Sequence, residues 1–170
     1  DLGLNVHDKR DSQEICFVAD DDYAALLRRR TPQAMRPGKI VNSAGEVLGE
    51  HDGFAQFTIG QRRGLRVAAG VPMYVTRIDP QTAAVTIGPK EEVLTRHLRA
   101  EQANWHADVP AEFDATVQIR YNHSGAFGRV RITGPESFEV DFAEAVSAVT
   151  PGQAAAVYDG ERLLGGGWIV

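Results

Sequence analysis

The chain has 170 residues, with 18 Lys and Arg against 23 Asp and Glu, a net charge of −5, one cysteine and 43% hydrophobic residues. That composition is ordinary for a soluble globular protein of one domain or two small ones, and it excludes a disulfide framework or a zinc site built on several thiolates. Apolar runs of only a few residues exclude a membrane span, and no basic-then-apolar leader suggests secretion, so a reduced, cytoplasmic setting is expected. Because the first residue is Asp1 rather than Met, the chain is expected to be a piece of a longer one, whose function needs further parts.

In chain order, the first clear signal is a helix. Asp20, Asp21 and Asp22 offer an N-cap and place negative charge where the helix dipole favours it. Tyr23, Leu26 and Leu27 share one face, Arg28 to Arg30 complement the carbonyl end, and Thr31-Pro32 stops the helix. The pattern then becomes β. Lys39 to Asn42 and Glu46 to Glu50 read as strands around a Ser43-Ala44-Gly45 turn. Phe54 to Ile59 reads as a strand entering a glycine-punctuated loop, Gly60-Gln61-Arg62-Arg63-Gly64. Met73 to Asp79 and Ala84 to Ile87 form a hairpin across Pro80, followed by a short helical stretch at Lys90 to Leu94.

From about Leu98 the reading is all β. Phe113, Ala115, Val117 and Ile119 alternate with polar residues, and so do Val130 with Ile132 and Phe138 with Val140 and Phe142. Gly134-Pro135 and Asp159-Gly160 mark turns. About six short strands in this stretch suggest a small closed barrel, because closure removes exposed edges. The expected fold is mainly β with a small α+β part: residues 1–18 as a linker, 19–95 as a small central domain and 96–170 as a closed, six-stranded-type β-barrel.

Charge is unevenly spread. Between Arg28 and Arg66 lie eight basic and three acidic residues, a net +5 that leaves −10 for the rest. The split favours a localised anion-facing surface over scattered solvated charge. Within it, the Gly60 to Gly64 loop joins backbone freedom to the guanidinium forks of Arg62 and Arg63, which suit phosphate oxygens. It lacks the Lys-Ser/Thr ending of a nucleotide-binding loop and gives no support for ATP binding. Arg120-Tyr121-Asn122-His123 is expected to end a barrel strand. An Arg beside an aromatic there suits backbone contact plus base stacking, while a Tyr plugging the barrel is the plainer alternative. Gln153 closes the turn Thr150-Pro151-Gly152 and could read a base or satisfy the turn. Cys16 sits in an apolar run and reads either as a small core residue or as a thiolate assisted by Lys9, Arg10 or the following helix. The histidines His7, His51, His97, His106 and His123 show no ligand spacing, so no metal site is expected; His51-Asp52 resembles a phosphohydrolase dyad only as a dipeptide.

Several segments together resemble one family, the tRNA-specific 2-thiouridylases. They are Asp11-Ser12-Gln13-Glu14-Ile15-Cys16-Phe17, Pro37-Gly38-Lys39-Ile40, Gly49-Glu50-His51-Asp52-Gly53, Thr58-Ile59-Gly60-Gln61-Arg62-Arg63-Gly64-Leu65, Asn104-Trp105, Arg120-Tyr121, Ala148-Val149-Thr150-Pro151-Gly152-Gln153, Tyr158-Asp159-Gly160-Glu161 and Leu164-Gly165-Gly166-Gly167. The resemblance implies a sulfurtransferase that makes 2-thiouridine at the wobble position of tRNA. It implies ATP and Mg²⁺ bound in an N-terminal pyrophosphatase domain whose motif is not among these residues, and no cofactor held here. Cys16 matches the family's second cysteine, which carries a persulfide delivered by a sulfur-relay protein and can pair with the first cysteine in a disulfide. Arg120, Tyr121 and Gln153 match tRNA-contacting positions, and Lys39, Arg62 and Arg63 fit the same role. Two departures stand out. Glu14 replaces the usual Gly before Ile-Cys and adds charge that opposes thiolate formation, and Asn122-His123 replaces the usual continuation after Arg-Tyr. The piece alone is expected to be inactive. The alternatives are a non-enzymatic RNA-binding β-barrel module with an inert core cysteine and, further off, a cysteine-dependent hydrolase.

Overall fold

The computed structural model describes residues 23–121 and 123–170. Cys16, its Lys9 and Arg10 neighbours, and the Asp20 to Asp22 cap lie outside the described residues. Helix α1 (Tyr23–Arg30) ends on Arg28, Arg29 and Arg30, all exposed, and Thr31 closes it by donating its amide to the Leu27 carbonyl at 2.7 Å. A 3₁₀ turn at Pro32–Met35 follows, and Met35 is buried.

The first sheet contains β1 (Gly38–Asn42), β2 (Val47–His51), β3 (Tyr74–Asp79) and β4 (Ala84–Gly88) in the order β2-β1-β4-β3. β1 and β2 form a hairpin. The Asn42 carboxamide oxygen accepts from the amides of Ala44 and Glu46, and Gly45 supplies the left-handed residue at φ +85°. β1 runs parallel to β4, with Ile40 beside Val85. Their inward side chains, with Val75, Ile87 and Leu65, form a small core. The β3–β4 turn is held by Asp79, whose carboxyl accepts from the Thr82 hydroxyl at 2.8 Å and the Gln81 amide at 2.9 Å. These bonds, the Thr82 one first, hold the carboxyl below the ordinary Asp range. Arg36 reaches the carbonyls of Pro80 and Gln81 in the same turn, so this member of the basic window is committed to structure.

The strand expected at Phe54 to Ile59 is not one. Phe54–Gln56 is a 3₁₀ turn and the residues after it join no ladder. The reason is that Phe54, Phe57 and Ile59 all pack against the Ile40, Val75 and Val85 core. Their side chains cover the core instead of alternating across a sheet, which a strand would require.

The second unit is a closed barrel of β5 (Leu94–Trp105), β6 (Glu112–Gln118), β7 (Ala126–Gly134), β8 (Ser137–Ser147), β9 (Ala154–Asp159) and β10 (Arg162–Ile169), in the order β10-β5-β8-β7-β6-β9. Alternate residues point inward. Leu98, Val117, Val130, Phe138, Val140, Val157 and Ile169 are at most 2% exposed. Each contributes on the order of 1.5–3 kcal/mol by leaving water. Trp105 packs edge-on against Phe113 and Phe138, at ring-centroid distances of 6.0 and 5.3 Å.

Candidate nucleic-acid interface

Barrel register decides which loops share a rim. Gln118 of β6 lies beside Ala156 of β9, Leu94 of β5 beside Ser147 of β8, and Trp168 of β10 beside Ala154. The end of β6, the end of β8 and the start of β9 therefore meet at one rim. Arg120 and Tyr121 follow β6 and Gln153 precedes β9, so all three sit at that rim. β6 stops at Gln118, so Arg120 and Tyr121 occupy the following turn and do not end a strand as expected. The turn binds its own backbone: Gln118 Nε2 donates to the Tyr121 carbonyl at 3.0 Å, and the His123 amide to the Arg120 carbonyl at 3.1 Å.

Arg120 is half-buried, and its Nη1 donates to the Ser147 carbonyl at 3.0 Å. That bond fixes the stem of the guanidinium against the end of β8. Tyr121 is 73% exposed, which removes the barrel-plug reading. Gln153 donates its amide to the Thr150 carbonyl at 3.1 Å, and its carbonyl accepts from the Ile169 amide at 2.8 Å. The backbone of Gln153 thus satisfies the turn, and the residue is exposed.

The first sheet meets this same rim through the glycine loop. Gly60 donates its amide to the Val75 carbonyl at 2.8 Å, and the Val75 amide returns to the Gln61 carbonyl at 3.0 Å, which lays the loop along the β3 edge. The Gln61 side chain then sets its shape. Its Oε1 accepts from the Thr58 amide at 3.0 Å and its Nε2 donates to the Arg63 carbonyl at 2.9 Å. Sequence reasoning missed this positioning role, although a carboxamide between two glycines is a recognisable loop former. Gly60, at φ +81°, abuts Ala148 so closely that a Cβ would overlap the alanine methyl. Ala148 in turn donates its amide to the Val93 carbonyl at 2.9 Å.

Two clefts border the junction, and a third lies within the first unit. One, of about 460 Å³, includes Gly60, Gln61, Lys90, Arg120 and Ser147. Another, of about 600 Å³, shares Thr58 and Ile59 with it and includes Arg77, Thr150 and Gln153. A third, of about 470 Å³, includes Arg62, Arg66 and Met73. Arg120 and Gln153 therefore share a rim but line different clefts. Lys39 is exposed on β1 opposite Glu50 of β2, two strands from the β3 edge that carries the loop.

Electrostatics separates the junction from the barrel wall. On the wall, Arg129 pairs with Asp114 and Glu112, Arg131 with Glu139 and Asp141, and His97 with Asp141 at 2.7 Å. The His97 bond, helped by its charge and by Arg131, holds the Asp141 carboxyl below the ordinary range. Arg62, Arg63 and Arg66 are exposed and form no ion pair among the described residues. Unpaired cations on and just after the glycine loop, against the paired Arg129 and Arg131 of the barrel wall, leave uncompensated positive charge on the first unit, although Arg96 and Arg162 of the barrel also form no ion pair among the described residues.

His51 serves the fold. It is buried, its Nδ1 accepts from the Gly53 amide at 3.1 Å, and its Nε2 donates to the Ala83 carbonyl at 2.9 Å. Among the described residues no group of three or more His, Cys, Asp or Glu could hold a metal ion. These residues do not fit an ATP–Mg²⁺ site, since the glycine loop ends in Arg63-Gly64 and brings no carboxylate set with it. No described helix is long and apolar enough to cross a membrane.

Residues 24–89 match a family model described as a tRNA methyl transferase PRC-barrel domain, and residues 95–169 match one described as an aminomethyltransferase β-barrel domain. The chain is 49% identical, over 99% of its own length, to the tRNA-specific 2-thiouridylase MnmA of Rhodopirellula baltica, and 44% identical over 98% to that of Paramagnetospirillum magneticum. The Anaplasma marginale protein of the same name is 44% identical over 99% of the chain. The chain spans 44% of the length of each of these relatives. The two domain matches in this order, and similarity along almost every residue, settle its kinship: the chain belongs to the tRNA-specific 2-thiouridylase family.

Proposed function

We propose that this chain is the tRNA-holding part of a tRNA-uridine 2-sulfurtransferase. One observation carries the reading. Gly60 is seated against Ala148 of the barrel rim, so the loop that carries unpaired Arg62 and Arg63 adjoins the rim that bears Arg120, Tyr121 and Gln153. Phosphates on one tRNA surface would bind the arginines, an unstacked base would lie on the Tyr121 ring, and Gln153 would read a base edge. The names of the relatives supply the substrate class.

In this reading Cys16 carries a persulfide from a sulfur-relay protein, and its outer sulfur passes to C2 of the wobble uridine. ATP with Mg²⁺, bound elsewhere in the longer protein, activates that position when present. The outer sulfur would attack C2 as the activated oxygen leaves with AMP, and a second cysteine there would then attack Cys16 Sγ, breaking the S–S bond to release 2-thiouridine and leave a Cys–Cys disulfide. The described residues hold and orient the tRNA, and alone they do not thiolate it. The working compartment is the cytoplasm, where tRNA is.

In the longer protein, Cys16→Ser is expected to abolish thiolation while leaving tRNA affinity within a factor of about three, because a hydroxyl holds no transferable sulfur. Retained thiolation would return Cys16 to an inert core residue, whereas tRNA binding without thiolation by the unsubstituted longer protein would leave a non-enzymatic RNA-binding module.

A further inference from the structure

The cleft between the β3 edge and the barrel rim has two features that the rim residues alone do not explain. Its charged lining residues are Lys90 and Arg120, with no carboxylate between them. Its apolar lining residues are Ile59, Val93 and Ala148, and Tyr74 lines it as well. Lys90 opens the 3₁₀ turn Lys90–Val93 that links the two units, and that turn is held to the rim by the Ala148-to-Val93 bond. The nearby acids do not neutralise it. Glu92 is engaged by the Ser43 hydroxyl, and Lys90 forms no ion pair among the described residues. Arg120 is oriented by the Ser147 carbonyl.

A lining that joins apolar side chains to two cations suits a ribose–phosphate unit. The sugar would pack on the apolar side chains, the phosphate would be bound by ammonium and guanidinium, and a phenol can add a hydrogen bond. At about 460 Å³ the cleft is wide enough for one such unit. Tyr121, next in the chain after Arg120 and 73% exposed, stands where a neighbouring base would stack. We infer that this cleft is a backbone subsite for one RNA nucleotide, with Lys90 and Arg120 binding the phosphate and Tyr74 donating to it. The inference rests on the tRNA-holding reading and adds Lys90 and Tyr74 to its contacts.

The test is tRNA binding by the 170-residue chain, measured by fluorescence anisotropy over a range of salt concentrations. Lys90→Ala is expected to weaken binding about threefold to tenfold and to make the log–log salt slope shallower by about 0.7–0.9, the counterions of one phosphate. Lys90→Arg keeps the slope. Tyr74→Phe weakens binding about twofold to fivefold with the slope unchanged, as removal of a neutral hydrogen bond does. Should Lys90→Ala lower the melting temperature, Lys90→Gln, which keeps the stem of the side chain, decides the slope instead. An unchanged slope in a folded Lys90 variant overturns the subsite while leaving the tRNA-holding reading intact. Failure of the unsubstituted chain to bind tRNA overturns that reading first, and the subsite with it.

Discussion

Gly60 and Ala148 are in contact across the junction, the glycine at φ +81° and without room for a Cβ. That contact seats the loop bearing Arg62 and Arg63 on the rim bearing Arg120. Gly60→Val meets two penalties, a left-handed conformation costing roughly 1–2 kcal/mol and a steric overlap. Chemical denaturation should show that destabilisation, and tRNA affinity should fall with it. Ala148→Gly in the same chain should relieve the overlap and recover part of the affinity; because Ala148 is itself left-handed at φ +59°, the recovery is read against Ala148→Gly alone.

Gln61 shapes the same loop through its bonds to Thr58 and Arg63. Gln61→Ala should cost about 0.5–1.5 kcal/mol per bond locally. Faster amide exchange across residues 58–64, with the barrel amides unchanged, is the expected signature. Gln61→Glu keeps the acceptor for the Thr58 amide but turns an oxygen toward the Arg63 carbonyl, so protection should persist at Thr58 and be lost around Arg63.

Much of this architecture is legible in the sequence, and the illegible parts share a cause. The β1–β2 and β3–β4 hairpins and the barrel follow from two-residue alternation and turn residues, which are local signals. Phe54 to Ile59 has strand composition, yet its apolar residues serve a core made by distant strands, which no window reveals. Arg36 and Arg62 look alike in sequence. Only the fold sends one to the Pro80 carbonyl and leaves the other unpaired. The Gly60–Ala148 contact joins residues far apart in the chain, so the site's assembly is visible in the sequence only as separate motifs. Tyr121 is readable in the sequence as plug or platform, and only the fold shows that it is too exposed for a plug.

Tyr121 and the loop arginines should fail differently. Tyr121→Ala should cost on the order of 1–3 kcal/mol of tRNA binding with little change in salt slope, as removal of base stacking does. Arg62→Ala with Arg63→Ala should lower the slope by about 0.7–0.9 for each phosphate that is no longer neutralised. A Tyr121→Ala chain with unchanged affinity and a lowered melting temperature would return the ring to a structural role.

His123 gives the fold a pH dependence. Burial first, and the Arg120 charge second, lower its pKa below the ordinary His value. The unfolded chain therefore binds the proton more readily than the folded one. Stability from this residue is present above about pH 6.5 and is lost as pH falls through the lower folded value. Asp141, also lowered, acts in a more acidic window, losing its contribution only as pH falls below about 4. Unfolding free energies measured from neutral into acidic solution should show both declines. His123→Asn should remove the upper one and leave the lower.

The most direct measurement is the salt dependence of tRNA binding by the 170-residue chain. If the junction holds tRNA, binding is measurable near about 50 mM salt and falls linearly on log–log axes, with a slope reflecting several phosphate contacts. The slope becomes shallower in the Arg62→Ala, Arg63→Ala chain. No binding at low salt, or binding whose slope ignores those two arginines, would contradict the assignment of this junction to tRNA.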